Sequence, residues 1–129
     1  MTNENLTSFH DLSLNDNFYI YTNGFHNHAI QQFLIKLYDF LGDKVNYLHF
    51  GDIDVGGFRV YNDLCNKTHI PFQKYQMDVD TLKKYDEYTK KLTKNDKKNL
   101  KSMKNDEVIA YMLKNNVKLE QEIVGEPCA

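Results

Sequence analysis

The spacing of apolar residues changes several times along the chain, and each change predicts an element. Phe18–Thr22 (FYIYT) is aromatic and β-branched, the pattern of a short buried strand, and Asn23-Gly24 closes it with a turn. From Asn27 to Leu41 the apolar positions Ile30, Phe33, Leu34, Leu37, Phe40 and Leu41 recur at helical spacing until Gly42. Val45–Phe50 (VNYLHF) predicts the next strand. Beyond the pair Gly56-Gly57, residues Phe58, Val60, Tyr61, Leu64 and Cys65 fit a second helix. Pro71 opens a third strand, Phe72–Met77. Past Asp78 the pattern is helical: Asp78 or Asp80 caps a helix reaching about Leu92, and Asn105 or Asp106 caps another through Leu113 and on toward Ile123. Strand, helix, strand, helix, strand with short links predicts an α/β fold, a parallel sheet with helices packed on it. Residues 1–17 are polar, and 125–129 are expected to be a loose tail.

Composition changes this picture little. The chain has 129 residues, enough for one domain with a core of its own. Hydrophobic content is 41%, charged content 26% and net charge −2, values of an ordinary globular domain rather than a general polyanion binder. Cys65 and Cys128 lack metal or redox spacing, which suits a reducing cytoplasm. No apolar run approaches the roughly 20 residues that span a bilayer, so no membrane association is expected. Charge is uneven, however. Nine lysines fall between Lys83 and Lys104, a run that reads either as a solvated helical face or as a surface that tracks phosphates, with Lys97 and Lys98 at its centre.

The chemistry concentrates in His49–Val60 (HFGDIDVGGFRV). In an open parallel sheet, ligands gather beyond the carboxyl ends of the strands, where Asp52 and Asp54 are expected. Two apart in an extended segment, their carboxylates point to one side, and a divalent cation relieves their repulsion. Gly56 and Gly57 would let the backbone turn and let a phosphate approach the following helix. The plainer reading is an Asx-turn in which Asp54 caps that helix. Arg59 is a candidate phosphate contact or the partner of Asp63. Asp78, on the same rim, is a helix cap or an accessory metal ligand. His49 reads as a satisfied sheet histidine, and the His26/His28 pair lacks a third ligand.

The segment GDIDVGGFRVYNDL resembles the Asp-x-Asp segment of the toprim domain found in type IIA topoisomerases, the topoisomerase VI A subunit and primases. It is more closely similar to the C-terminal domains of the JetD family, the nuclease subunits of bacterial Wadjet plasmid-defence systems. ENLTSFHDL resembles that family's glutamate motif, YTNGFHNHAIQQFL its second strand, turn and helix, and LEQEIV its C-terminal acidic motif. The resemblance implies a toprim-like, Rossmann-like three-layer fold over residues 1–124. It implies an acidic cluster of Glu4, Asp52 and Asp54 that binds Mg²⁺ or Mn²⁺ and cleaves DNA, with Glu120 and Glu122 in a further motif. It also implies condensin-like partner subunits and an arrangement compatible with a homodimer. The family places an apolar strand before the glutamate, and here only Met1, Thr2 and Asn3 precede Glu4. The first strand is therefore expected to be missing, the chain a fragment, and one sheet edge exposed. Two other functions fit the residues: a non-catalytic binding or dimerisation module, and an Asp-x-Asp phosphotransferase, whose downstream lysine motif is not found.

Overall fold

A computed structural model describes residues 2–3, 20–21, 27–103 and 106–120. Four short strands form one parallel sheet: β1 (Thr2–Asn3), β2 (Ile20–Tyr21), β3 (Leu48–Phe50) and β4 (Gln73–Lys74), in the order β2-β1-β3-β4. Thr2 pairs with Ile20 on one side and with His49 on the other, and Leu48 pairs with Gln73. The strand expected to be missing is thus short rather than absent, and it lies inside the sheet. The reason is local. Thr2 is 1% exposed, and its hydroxyl lies 2.7 Å from His49 Nδ1, so a side-chain contact joins the backbone pairing to β3.

Among the described residues, five helices accompany the sheet. Helix α1 (His28–Leu41) starts where Asn27 Oδ1 accepts the Ile30 N–H at 2.9 Å and stops at Gly42, whose φ of 55° suits glycine. Helix α2 (Val55–Thr68) follows β3 directly. Asp78 caps α3 (Val79–Lys84), accepting from the Thr81 N–H at 2.9 Å and from the Thr81 hydroxyl at 2.6 Å. Thr93 and Asp96 form a reciprocal capping box at the start of α4 (Lys94–Ser102). Asp106 caps α5 (Glu107–Asn115), which ends at Asn116 in the left-handed conformation.

Three expected boundaries are corrected. The helix after Asp78 does not reach Leu92, because residues beyond Lys84 form a 3₁₀ turn at Asp86–Tyr88 and then extend, so that Lys90 exchanges both backbone hydrogen bonds with Lys118. The last helix does not run to Ile123, because left-handed Asn116 turns the chain and Lys118 and Leu119 extend into bridges. The third strand shrinks to Gln73–Lys74, since Gln76 adopts φ 51° and breaks the extended run.

Apolar side chains gather in two clusters. The larger joins Phe50 of β3 to Phe58, Leu82, Leu100, Met112 and Leu119, linking α2 to α5 with the chain after it. The smaller joins Leu34 of α1 to Leu64, Ile70 and Phe72. Each fully buried side chain of this size contributes roughly 1.5–3 kcal/mol over leaving it in water. Alternation along β3 sends Phe50 into the larger cluster, while His49 turns to Thr2 and toward the Tyr61 ring. His49 is the buried sheet histidine the sequence predicts.

Candidate functional site: the loop after the third strand

Beyond Phe50 the chain runs through Gly51, Asp52, Ile53 and Asp54 into α2. The middle residue anchors it. Ile53 is 1% exposed, its N–H donates to the Leu119 carbonyl at 2.9 Å, and the Leu119 N–H donates back at 3.1 Å. With Ile53 turned into the core, alternation places Asp52 and Asp54 on the other side of the chain, where both are half-buried.

Asp54 is extended at φ −153°, and its Oδ1 accepts the Gly57 N–H at 2.7 Å. The helix cap expected from the sequence is therefore present, and it engages one oxygen of that carboxylate. The glycines divide the work differently from expectation. A Cβ on Gly57 would lie 1.9 Å from the Asp52 carbonyl oxygen, so the first turn of α2 carries the Asp52 backbone directly against it. Gly57 makes room for the chain's own loop. Gly56 is exposed, and a Cβ there would meet Asp54 Oδ1 at an ordinary 3.5 Å.

The other candidates are dispersed. Glu4 directly follows β1 but lies outside the described residues, as do Glu122, His26 and Cys128. Glu120 is adjacent to the bridge at Leu119, yet its carboxylate pairs with Lys90 at 2.6 Å. Arg59 is exposed on α2, and Asp63 is met by Lys67 at 3.3 Å. Asp78 is a cap at the carboxyl end of β4. Lys97 and Lys98 are exposed on α4. Among the described residues no group of three or more His, Cys, Asp or Glu side chains is gathered to hold a metal. Asp52 and Asp54 nonetheless offer hard oxygen donors of the kind Mg²⁺ takes, a few carboxylates completed by water and phosphate oxygens. Their donor chemistry fits the ion, with a third protein ligand still to come from elsewhere.

Two features beside the loop were not legible in the sequence. Leu119 belongs to the C-terminal acidic motif, but its role here is to pin Ile53. Lys74 reaches Asp106 Oδ2 at 2.6 Å while its ammonium sits 5.4 Å from the Phe58 ring centre and 5.6 Å from that of Tyr61. Burial pushes the Asp106 carboxyl upward, but the Lys74 bond and the amides of Val108 and Ile109 outweigh it and hold the group below its ordinary value. Lys74, Asp106, Tyr61, Asp78, Asp80 and Lys83 line an open cleft of about 600 Å³. Burial, then the Cys65 thiol, lifts the Tyr61 hydroxyl at this cleft to about 12. Burial likewise raises the half-buried Cys65 thiol.

Fold and site together define an α/β domain with a parallel sheet, carrying an anchored pair of carboxylates at the carboxyl end of one strand. The family described as Wadjet protein JetD, C-terminal, matches residues 1–127. Wadjet protein JetD of Bacillus cereus (strain Q1) is 31% identical over 132 residues, covering 94% of this chain and 32% of the relative. The chain belongs to the JetD C-terminal family, and it spans about a third of the length of that relative. No solved structure matches it. No helix among the described residues is long and apolar enough to cross a membrane.

Proposed function

We propose that this domain is the metal-dependent DNA nuclease part of a Wadjet defence subunit, with a toprim-like site built on Glu4, Asp52 and Asp54. The observation that carries the reading is the Asp52–Asp54 loop, fixed at the end of β3 by the Ile53–Leu119 bridge and by the bare Gly57 beneath it. Such anchoring suits a site that must hold acidic groups within roughly half an ångström of productive geometry. Family membership supports the same reading.

In this mechanism Asp52 and Asp54 would hold Mg²⁺ or Mn²⁺, and Glu4 would share the ion or move the proton at the attacking or leaving oxygen. The ion, when bound, would supply Lewis-acid polarisation of the scissile phosphate. Ile53 and Leu119 keep the loop from shifting as charge develops. Lys97, Lys98 and Arg59 are proposed to meet DNA phosphates, together with the exposed Gly56 in the first turn of α2. Condensin-like subunits of the same system are the proposed partners.

The test is plasmid nicking with Mg²⁺, run on the chain, on the chain fused to the N-terminal part of its Bacillus cereus relative together with partner subunits, and on both carrying Asp52→Ala. We expect slow nicking or none by the chain, faster nicking by the assembly, and loss of that cleavage with the substitution. Cleavage that survives loss of Asp52 would place the chemistry elsewhere. DNA binding without cleavage in every context would instead favour the non-catalytic module.

A further inference from the structure

Helix α4 presents a feature that the aspartate loop does not explain. At 100° per residue, Lys94, Lys97, Lys98 and Lys101 all fall on one face, and all four are exposed. Among the described residues none of the four pairs with an acidic side chain. The opposite face is inward: Leu100 is 1% exposed in the larger cluster, and Asp96 meets Lys118 at 2.8 Å. That ion pair matters for placement. Lys118 pairs through its backbone with Lys90, and the next residue, Leu119, pairs with Ile53 between the two aspartates. A short series of fixed contacts thus runs from the lysine helix to the carboxylate loop.

We propose that this four-lysine face is a docking surface for the phosphate backbone of duplex DNA, and that the Asp96–Lys118–Leu119–Ile53 series sets its register to the carboxylates. The proposal rests on the nuclease reading for the identity of its partner. Its extent suits the ligand. Lys94 to Lys101 spans seven steps of about 1.5 Å, roughly 10 Å along the helix, the axial length of about three phosphates of one strand. Lysines not engaged by acidic side chains release condensed counterions when they meet phosphates, whereas lysines already paired, such as Lys90 and Lys118, would release fewer.

The experiment is fluorescence anisotropy of a labelled DNA duplex, titrated with the protein in EDTA at stepped salt so that cleavage is silent. The chain is compared with the combined variant Lys94→Gln, Lys97→Gln, Lys98→Gln and Lys101→Gln, and with Lys36→Gln/Lys44→Gln, on α1 and the turn after it, as control. We expect the slope of log affinity against log salt to flatten by roughly 2.7 to 3.6 in the combined variant, at about 0.9 for each of three or four phosphates no longer neutralised, and to stay unchanged in the control. The pair Lys97→Glu/Lys98→Glu serves if the combined variant loses its circular dichroism spectrum, and it is expected to weaken binding at least tenfold at low salt. Unchanged affinity and slope in both lysine variants, or an equal loss in the control, would overturn the proposal. So would failure of the unaltered chain to bind. Lysine-dependent binding beside absent cleavage would sink the nuclease reading alone, and cleavage with lysine-independent binding would sink this surface alone.

Discussion

At the scale of single residues, the glycine pair shows how far a local reading goes. The sequence marks Gly56-Gly57 as a place where a phosphate would approach the backbone, and the structure shows the chain's own loop against Gly57. The sequence does not show that the approaching group is the Asp52 carbonyl, because a tertiary contact between a loop and the helix after it has no signature in spacing. The two positions should respond oppositely to substitution. Gly57→Ala forces a Cβ to within 1.9 Å of that oxygen, so the loop or helix must shift. We expect a loss of about 1–3 kcal/mol, in the range of other overpacked sites, by urea denaturation. Gly56→Ala has room and removes a flexible residue from a helix, so its stability should match the parent or exceed it by up to about 1 kcal/mol. Equal destabilisation by both would mean that the loop is not seated on Gly57. Asp54 was legible as a cap from its place before a helix, and Asp54→Ala should cost about 1 kcal/mol in the same measurement as the cap to the Gly57 N–H is lost.

Among elements, α1 was readable because six apolar residues repeat at helical spacing between a capping asparagine and a glycine, all local signals. The stretch from Lys84 to Lys118 was less so. Its pattern reads as a helix to about Leu92 and another from Asn105 or Asp106, yet the backbone of Lys90 is used by Lys118, 28 positions later, and only the folded chain reveals that demand. The same pairing brings Lys118 to Asp96, whose carboxyl is held below its ordinary 3.8 by that ammonium and by the Thr93 backbone N–H. The folded value lies below the unfolded one. The stabilisation is therefore complete well above pH 3.8 and is lost as pH falls through the folded value. Asp106, lowered through Lys74, acts in the same direction. Asp96→Asn should thus narrow the gap between denaturation midpoints at pH 7 and pH 3, chiefly by lowering the one at pH 7. An unchanged gap would show that the pair contributes little in solution.

For the molecule as a whole, the parallel sheet and the place of Asp52 at a strand's carboxyl end followed from the order of elements and the rule that parallel sheets present sites on that rim. The order of strands did not. β1 enters between β2 and β3 on only two residues, too few to leave a periodic pattern, and is held there by Thr2 and His49. The central claim remains the pair of carboxylates as a cation site. Its most direct test is Mn²⁺ binding followed by electron paramagnetic resonance, on the chain and on Asp52→Asn and Asp54→Asn, with circular dichroism checking the fold. One weak site is expected, on the order of millimolar because few protein ligands are offered, competed by Mg²⁺, abolished in the first variant and weakened in the second. Binding that is the same in all three proteins would contradict it.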